Sequence, residues 1–163
     1  APLLTAIVIS SRCATGFASM IGVMKVNLEI DALETMGRDA LCVLVVPRVI
    51  AMLFALPLLT VWSNAMFIFG SMVMSFAEMH VSFPEFLRIY STSVNLSQFV
   101  LGMQKVPFFG FFIVAVGCYQ GFQTPMNAEG IGAHTTKAAV HSLFYILVID
   151  ALFSIISRVM LGY

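Results

Sequence analysis

Between Val49 and Ala77 the chain runs for 29 residues without one Asp, Glu, Lys or Arg. Coiled into an α-helix at about 1.5 Å per residue, that run is roughly 43 Å long. It outreaches a hydrocarbon core of ~30 Å, so tilt, or a kink near Pro57, must absorb the excess. The rest of the chain agrees. Of its 163 residues 60% are hydrophobic and only 10% are charged, and its mean hydropathy is +0.99. A soluble domain carries about 25% charged residues. The chain therefore reads as an all-α integral membrane protein with about four membrane helices, the first of them complete or partial. Its formal net charge of zero gives no footprint for nucleic acid.

The charge that exists is concentrated. Lys25, Glu29, Asp31, Glu34, Arg38, Asp39 and Arg48 all fall in one short segment. Within it, residues 27–37 predict a small amphipathic helix. Asn27 is placed to cap it, and Glu29 and Asp31 sit at the positive end of its dipole. Ile30, Leu33 and Met36 or Gly37 recur on one face. Glu34 and Arg38 stand four apart in the favourable order, and Gly37 suits the C′ position. About ten residues cannot span a bilayer. The helix lies along the membrane surface or docks on a partner.

Around this segment the single membrane domain divides into spans 1–24, 45–77, 96–124 and 138–161. In the first, Ala6, Ser10, Ala14, Ala18 and Gly22 form a ridge of small residues that lets another helix approach closely. Arg12 stands out there, because a charge at that depth must face a cavity, pair or snorkel. Residues 78–95 form a polar segment in which Ser82, Pro84 and Glu85 start a short surface helix. Residues 125–137 read as a polar loop. Lys and Arg are more frequent in the Lys25–Arg48 segment than in 78–95, which places that segment and the 125–137 loop in the cytoplasm and 78–95 in the periplasm. The chain opens on APLLTAIV, with no Met and no basic leader. That is not a signal peptide, and a further N-terminal region is expected to precede it.

Two ionisable residues lie inside predicted spans, Lys105 and Asp150. Counted from the cytoplasmic helix ends, they rise to roughly 28 Å and 20 Å. Both fall in the outer half of the membrane, within reach of each other given a long Lys stem. They either line one polar spot in an apolar cavity or form a structural ion pair. Phe109 and Phe112 belong to the aromatic run beside Lys105. Asp150, Ser154 and Ser157 share a helical face, as a cavity wall or as a hydrogen-bonded seam. No GxSxG or HExxH motif occurs, His134 and His141 lack a third metal ligand, and Cys13, Cys42 and Cys118 form no CxxC pair. Catalytic and metal sites are not indicated.

PLLTAIVISSR, EIDALETMG, VVPRVIAMLFALPLLT, GCYQGF, AEGIGAHTTKAAV and IDALF, in this order, together resemble the MlaE/YrbE permease family over essentially the whole chain. They match the C-terminal part of such a permease. The resemblance implies a permease subunit of an ABC transporter in the bacterial inner membrane. It moves phospholipid or a similar lipid to or from an MCE-domain partner and contributes to outer-membrane lipid asymmetry. It also implies a homodimer with a lipid cavity between the copies, for which Lys105, Asp150, Phe109, Phe112 and Arg12 are the candidate residues. Glu29, Asp31, Leu33, Glu34, Met36 and Gly37 would form the cytoplasmic coupling helix that docks on a separate ATPase chain. ATP and Mg would be bound there, and this chain would hold no cofactor of its own. The alternatives are an ion-coupled secondary transporter, working through Asp150, and a structural membrane subunit without a transport path.

Overall fold

In a computed structural model the chain is described over residues 2–161. Seven helices follow one another, and there is no strand among the described residues. They are α1 (Pro2–Val26), α2 (Glu29–Thr35), α3 (Ala40–Met79), α4 (Phe83–Ser93), α5 (Leu96–Gln104), α6 (Val106–Phe122) and α7 (Ala128–Leu161). Helices α1, α3 and α7, and α5 with α6 taken together, are long and apolar enough to cross a membrane. The chain is an all-α, multi-pass membrane protein.

The centre of the bundle is α6, which packs against α1, α3 and α7, while α1 also lies along α7. The small-residue ridge explains the closeness of this packing. Ala6, Ser10, Ala14, Ala18 and Gly22 are all buried. Opposite them, a Cβ on Gly117 would lie 3.0 Å from the Ala14 carbonyl oxygen. A Cβ on Gly121 would lie 2.7 Å from the Ile21 Cβ. Backbone meets backbone here, as small residues permit in lipid. Ile21, Leu56, Phe109, Ile113, Val114 and Ile146 fill the core around this seam.

Several boundaries differ from the sequence expectation. The first span was drawn from residue 1, which lies outside the described residues; α1 itself is a 25-residue helix. The span expected over 45–77 is the 40-residue α3, with Pro47 and Pro57 inside it. The span expected over 96–124 is broken at Lys105 into α5 and α6. Pro107 sits in the first turn of α6, where its missing N–H is tolerated. The loop expected over 125–137 is mostly helix, since α7 begins at Ala128. Asn127 caps it, its Oδ1 accepting from the Gly130 amide at 2.9 Å, and Glu129 sits in the first turn next to the positive dipole end.

Candidate functional site: a part-buried ion pair and a short acidic helix

Lys105 closes α5 and opens α6. Its Nζ donates to Asp150 Oδ1 of α7 at 2.5 Å, with both side chains about one-fifth exposed (20% and 19%). One turn farther on each helix, the Phe108 and Phe153 rings meet at 5.1 Å between centroids. The two residues singled out by depth are thus brought together directly, 45 positions apart in sequence. This is the one ion pair among the described residues. An ammonium has three donors, and Asp150 accepts one, so the pair retains capacity for another acceptor.

On the two helical turns that follow Lys105, Pro107, Phe108, Phe111 and Phe112, with Leu53 of α3, line an apolar cleft of ≈ 420 Å³. Phe112 also reaches a second cleft of ≈ 500 Å³, which ends at Tyr119, Gln120 and His141. Phe112 thus borders both clefts. Phe109 does not: it is fully buried in the helix core, because the α6 face carrying it packs inward. Arg12 is exposed on α1 and takes no part in the Lys105–Asp150 pair. Ser154, one turn beyond Asp150, is likewise exposed.

The acidic helix is shorter than expected and is entered differently. Leu28, not Asn27, is its N-cap, in a left-handed conformation at φ 60°. The α1 helix continues to Val26, and the chain turns sharply at Leu28. The C-terminal end follows the expectation for Gly37, whose φ is +73°. The Gly37 amide donates to Glu34 O at 3.0 Å, and the Arg38 amide donates to Leu33 O at 3.2 Å. That pair of bonds is the Schellman motif. It places Arg38 outside the helix, so the expected helical pairing of Glu34 with Arg38 does not form. Ile30 is buried and Leu33 half-buried, which ties α2 to α1 and α3. Glu29, Asp31, Glu34 and Met36 face outward and are exposed.

One polar cluster was not anticipated from sequence. Gln120 of α6 is buried between the two histidines of α7. Its Oε1 lies 3.0 Å from His134 Nδ1, and its Nε2 lies 3.0 Å from His141 Nδ1. The two histidines stand seven apart, two helical turns on one face. That spacing was the visible signal, but Gln120 carries nothing that marks it in sequence.

The comparisons with known proteins agree with this architecture. A family model described as Permease MlaE matches residues 1–156. A probable ABC transporter permease protein of Synechocystis is 37% identical over 148 residues, 91% of this chain and 56% of that protein. One from Rickettsia typhi is 30% identical over 147 residues, 90% of this chain and 57% of that protein. The chloroplastic protein TRIGALACTOSYLDIACYLGLYCEROL 1 of Arabidopsis thaliana is 33% identical over 153 residues, 94% of this chain and 44% of that protein. The chain thus spans about half the length of the curated relatives it matches. With four apolar spans and a family match over nearly its whole length, the chain belongs to the MlaE permease family.

Proposed function

We propose that this chain is the membrane-spanning portion of an ABC transporter permease that moves phospholipid or a similar lipid. It works in the bacterial inner membrane as a homodimer. It exchanges lipid with an MCE-domain partner and so contributes to outer-membrane lipid asymmetry. The observation that carries the reading is the Lys105–Asp150 pair, a largely shielded charge one helical turn from residues that line an apolar cleft. Intramembrane ionisable groups of this kind mark pathways. Asp150 holds the Lys105 ammonium in place, and the remaining Nζ donors take the anionic headgroup. The apolar cleft at Phe108, Phe111 and Phe112 takes the acyl chains. A relative named for trigalactosyldiacylglycerol, itself a lipid, supports a lipid cargo.

The chain performs no bond chemistry in this reading. ATP hydrolysis occurs on a separate ATPase chain, which holds ATP and Mg. Helix α2 is the cytoplasmic docking element, and its exposed acids Glu29, Asp31 and Glu34 contact that ATPase. Because Ile30 seats α2 against the ends of α1 and α3, displacement of α2 moves two spans together.

The test uses the full-length permease. Wild type is expected to bring down an ATPase from detergent extract, and a folded Glu29→Lys/Glu34→Lys variant is not. Lys105→Ala is expected to lower the phospholipid retained per permease. Wild-type lipid occupancy and transport in Lys105→Ala would reduce the pair to a structural ion pair.

A further inference from the structure

A second cation that faces inward is Arg48, two turns into α3. Its surroundings are the reverse of those of Lys105. The guanidinium lies over the Phe17 ring at 5.4 Å from the centroid. Its Nη2 meets the Met20 sulfur at 2.9 Å, and the Cys118 thiol lies against the same group. Its Nη1 is buried with no hydrogen-bond partner. Thioethers and thiols are weak acceptors, and a ring face offers only a modest cation–π attraction. No carboxylate answers the charge, since the one ion pair among the described residues is Lys105–Asp150. A buried guanidinium nitrogen without an acceptor is costly.

The location narrows what can answer it. Cys118 precedes the last residue of α6, Phe122, by one turn. The Phe122 carbonyl accepts from Lys25 Nζ, at the end of α1. Arg48 therefore sits about one turn inside the end of the bundle, where the hydrocarbon gives way to lipid headgroups. It lies roughly 20 Å along α6 from Lys105, near the opposite end of that helix. The cover over the guanidinium is Met20, which is 56% exposed. Its flexible thioether can swing aside, and doing so would open Nη2, the nitrogen it now meets, to a phosphate oxygen.

We propose that Arg48, with Phe17, Met20 and Cys118 around it, binds the phosphate of a membrane phospholipid at the α2 end of the bundle. This site is separate from the transport site at Lys105 and does not depend on it. It ties α1, α3 and α6 to the surrounding leaflet through a headgroup. A free phosphate has the same charge but lacks the acyl chains that hold a lipid at this depth.

The full-length permease is titrated in detergent with phosphatidylglycerol, diacylglycerol or inorganic phosphate. Bound lipid is counted by native mass spectrometry and thermal unfolding is followed in parallel. Phosphatidylglycerol is expected to bind and raise the unfolding temperature, while diacylglycerol and inorganic phosphate at the same concentration are not. Met20→Glu places a carboxylate where the thioether now meets Arg48. It is expected to fold, to match or exceed wild-type heat stability, and to bind phosphatidylglycerol at least roughly tenfold more weakly. It should retain one lipid fewer per chain. Arg48→Gln should lose the same lipid. Lys105→Ala should lose a different one, so that the combination with Met20→Glu loses both. Wild-type lipid binding in both Met20→Glu and Arg48→Gln would overturn the site. Inorganic phosphate that stabilises as strongly as phosphatidylglycerol would overturn the lipid as its source.

Discussion

The seam between α1 and α6 and the far half of α3 are written in the same apolar alphabet, yet they reach opposite states. Along the seam every fourth residue is small and every one of them is buried. Beyond Thr60, α3 has no buried residue at all. Trp62, Phe67 and Phe69 stand exposed there. The difference is one of side-chain size rather than hydrophobicity. In lipid, an apolar side chain gains nothing by leaving the hydrocarbon, so helices associate where small residues allow close packing. Bulky residues remain on the outside, available to lipid or to a second copy of the chain. The seam holds the chain together, and the far half of α3 is the part free to meet something else.

The largest effect should come where the packed side carries charge. Asp150→Ala leaves the Lys105 ammonium shielded and unpaired, at an expected cost of about 3 kcal/mol. Replacing both partners, as Lys105→Met/Asp150→Leu, should return stability to near the wild-type value. Thermal unfolding in detergent compares the three proteins. Equal losses in the single and the double variant would show that the ion pair itself contributes the stability, and that an uncompensated charge is not the cause of the loss. Retained phospholipid should fall in the double variant despite its stability, which separates the structural role of the pair from the functional one.

Next in size is the seam itself. In Gly121→Ala the new Cβ would lie 2.7 Å from the Ile21 Cβ and 3.1 Å from the Ala18 carbonyl oxygen. Neither is the loose end of a flexible side chain, so α1 and α6 must separate. The expected cost is about 2 kcal/mol. Gly16→Ala is the control, because a Cβ there meets nothing within 4 Å. The comparison between the two regions fails if both substitutions cost the same.

These two features were legible in sequence for a simple reason. A four-residue period of small side chains needs no partner to be seen, and helix rise alone puts Lys105 and Asp150 at similar depths. Other features were hidden because they depend on several helices at once. Arg48 is flanked by apolar sequence, and only the meeting of α1, α3 and α6 brings Phe17, Met20 and Cys118 around it. Phe109 and Phe112 look alike in the aromatic run, yet α6 turns one into the core and the other towards the clefts. The start of α7 was masked by Gly130, Gly132 and two threonines, residues that weaken a helical reading. In the fold, the hydroxyls of Thr135 and Thr136 bond back to the Gly132 carbonyl, and the Asn127 cap sets the start.

A smaller effect is expected at the end of α2. Gly37 holds φ +73°, a conformation that costs a Cβ-bearing residue about 1 kcal/mol. Nothing lies within 4 Å of a Cβ there, so Gly37→Ala isolates backbone strain from crowding. It should lower unfolding free energy by about that amount. If α2 couples the spans to an ATPase, it should also reduce ATPase co-purification. Lost stability with full co-purification would confine Gly37 to a role in the turn.

The smallest effect on the single chain should come from the open side. Trp62 is 65% exposed, so Trp62→Ala removes little packing within one copy and should change its stability by less than ~0.5 kcal/mol. If that face of α3 meets only lipid, nothing else changes. If it meets a second copy, Trp62→Ala together with Phe69→Ala should shift the protein from dimer to monomer in detergent, measured by light scattering, with the unfolding of the monomer unaltered. Monomer unfolding as weakened as that of Gly121→Ala would place Trp62 in the chain's own core. It would also erase the distinction between the closed seam and the open half of α3.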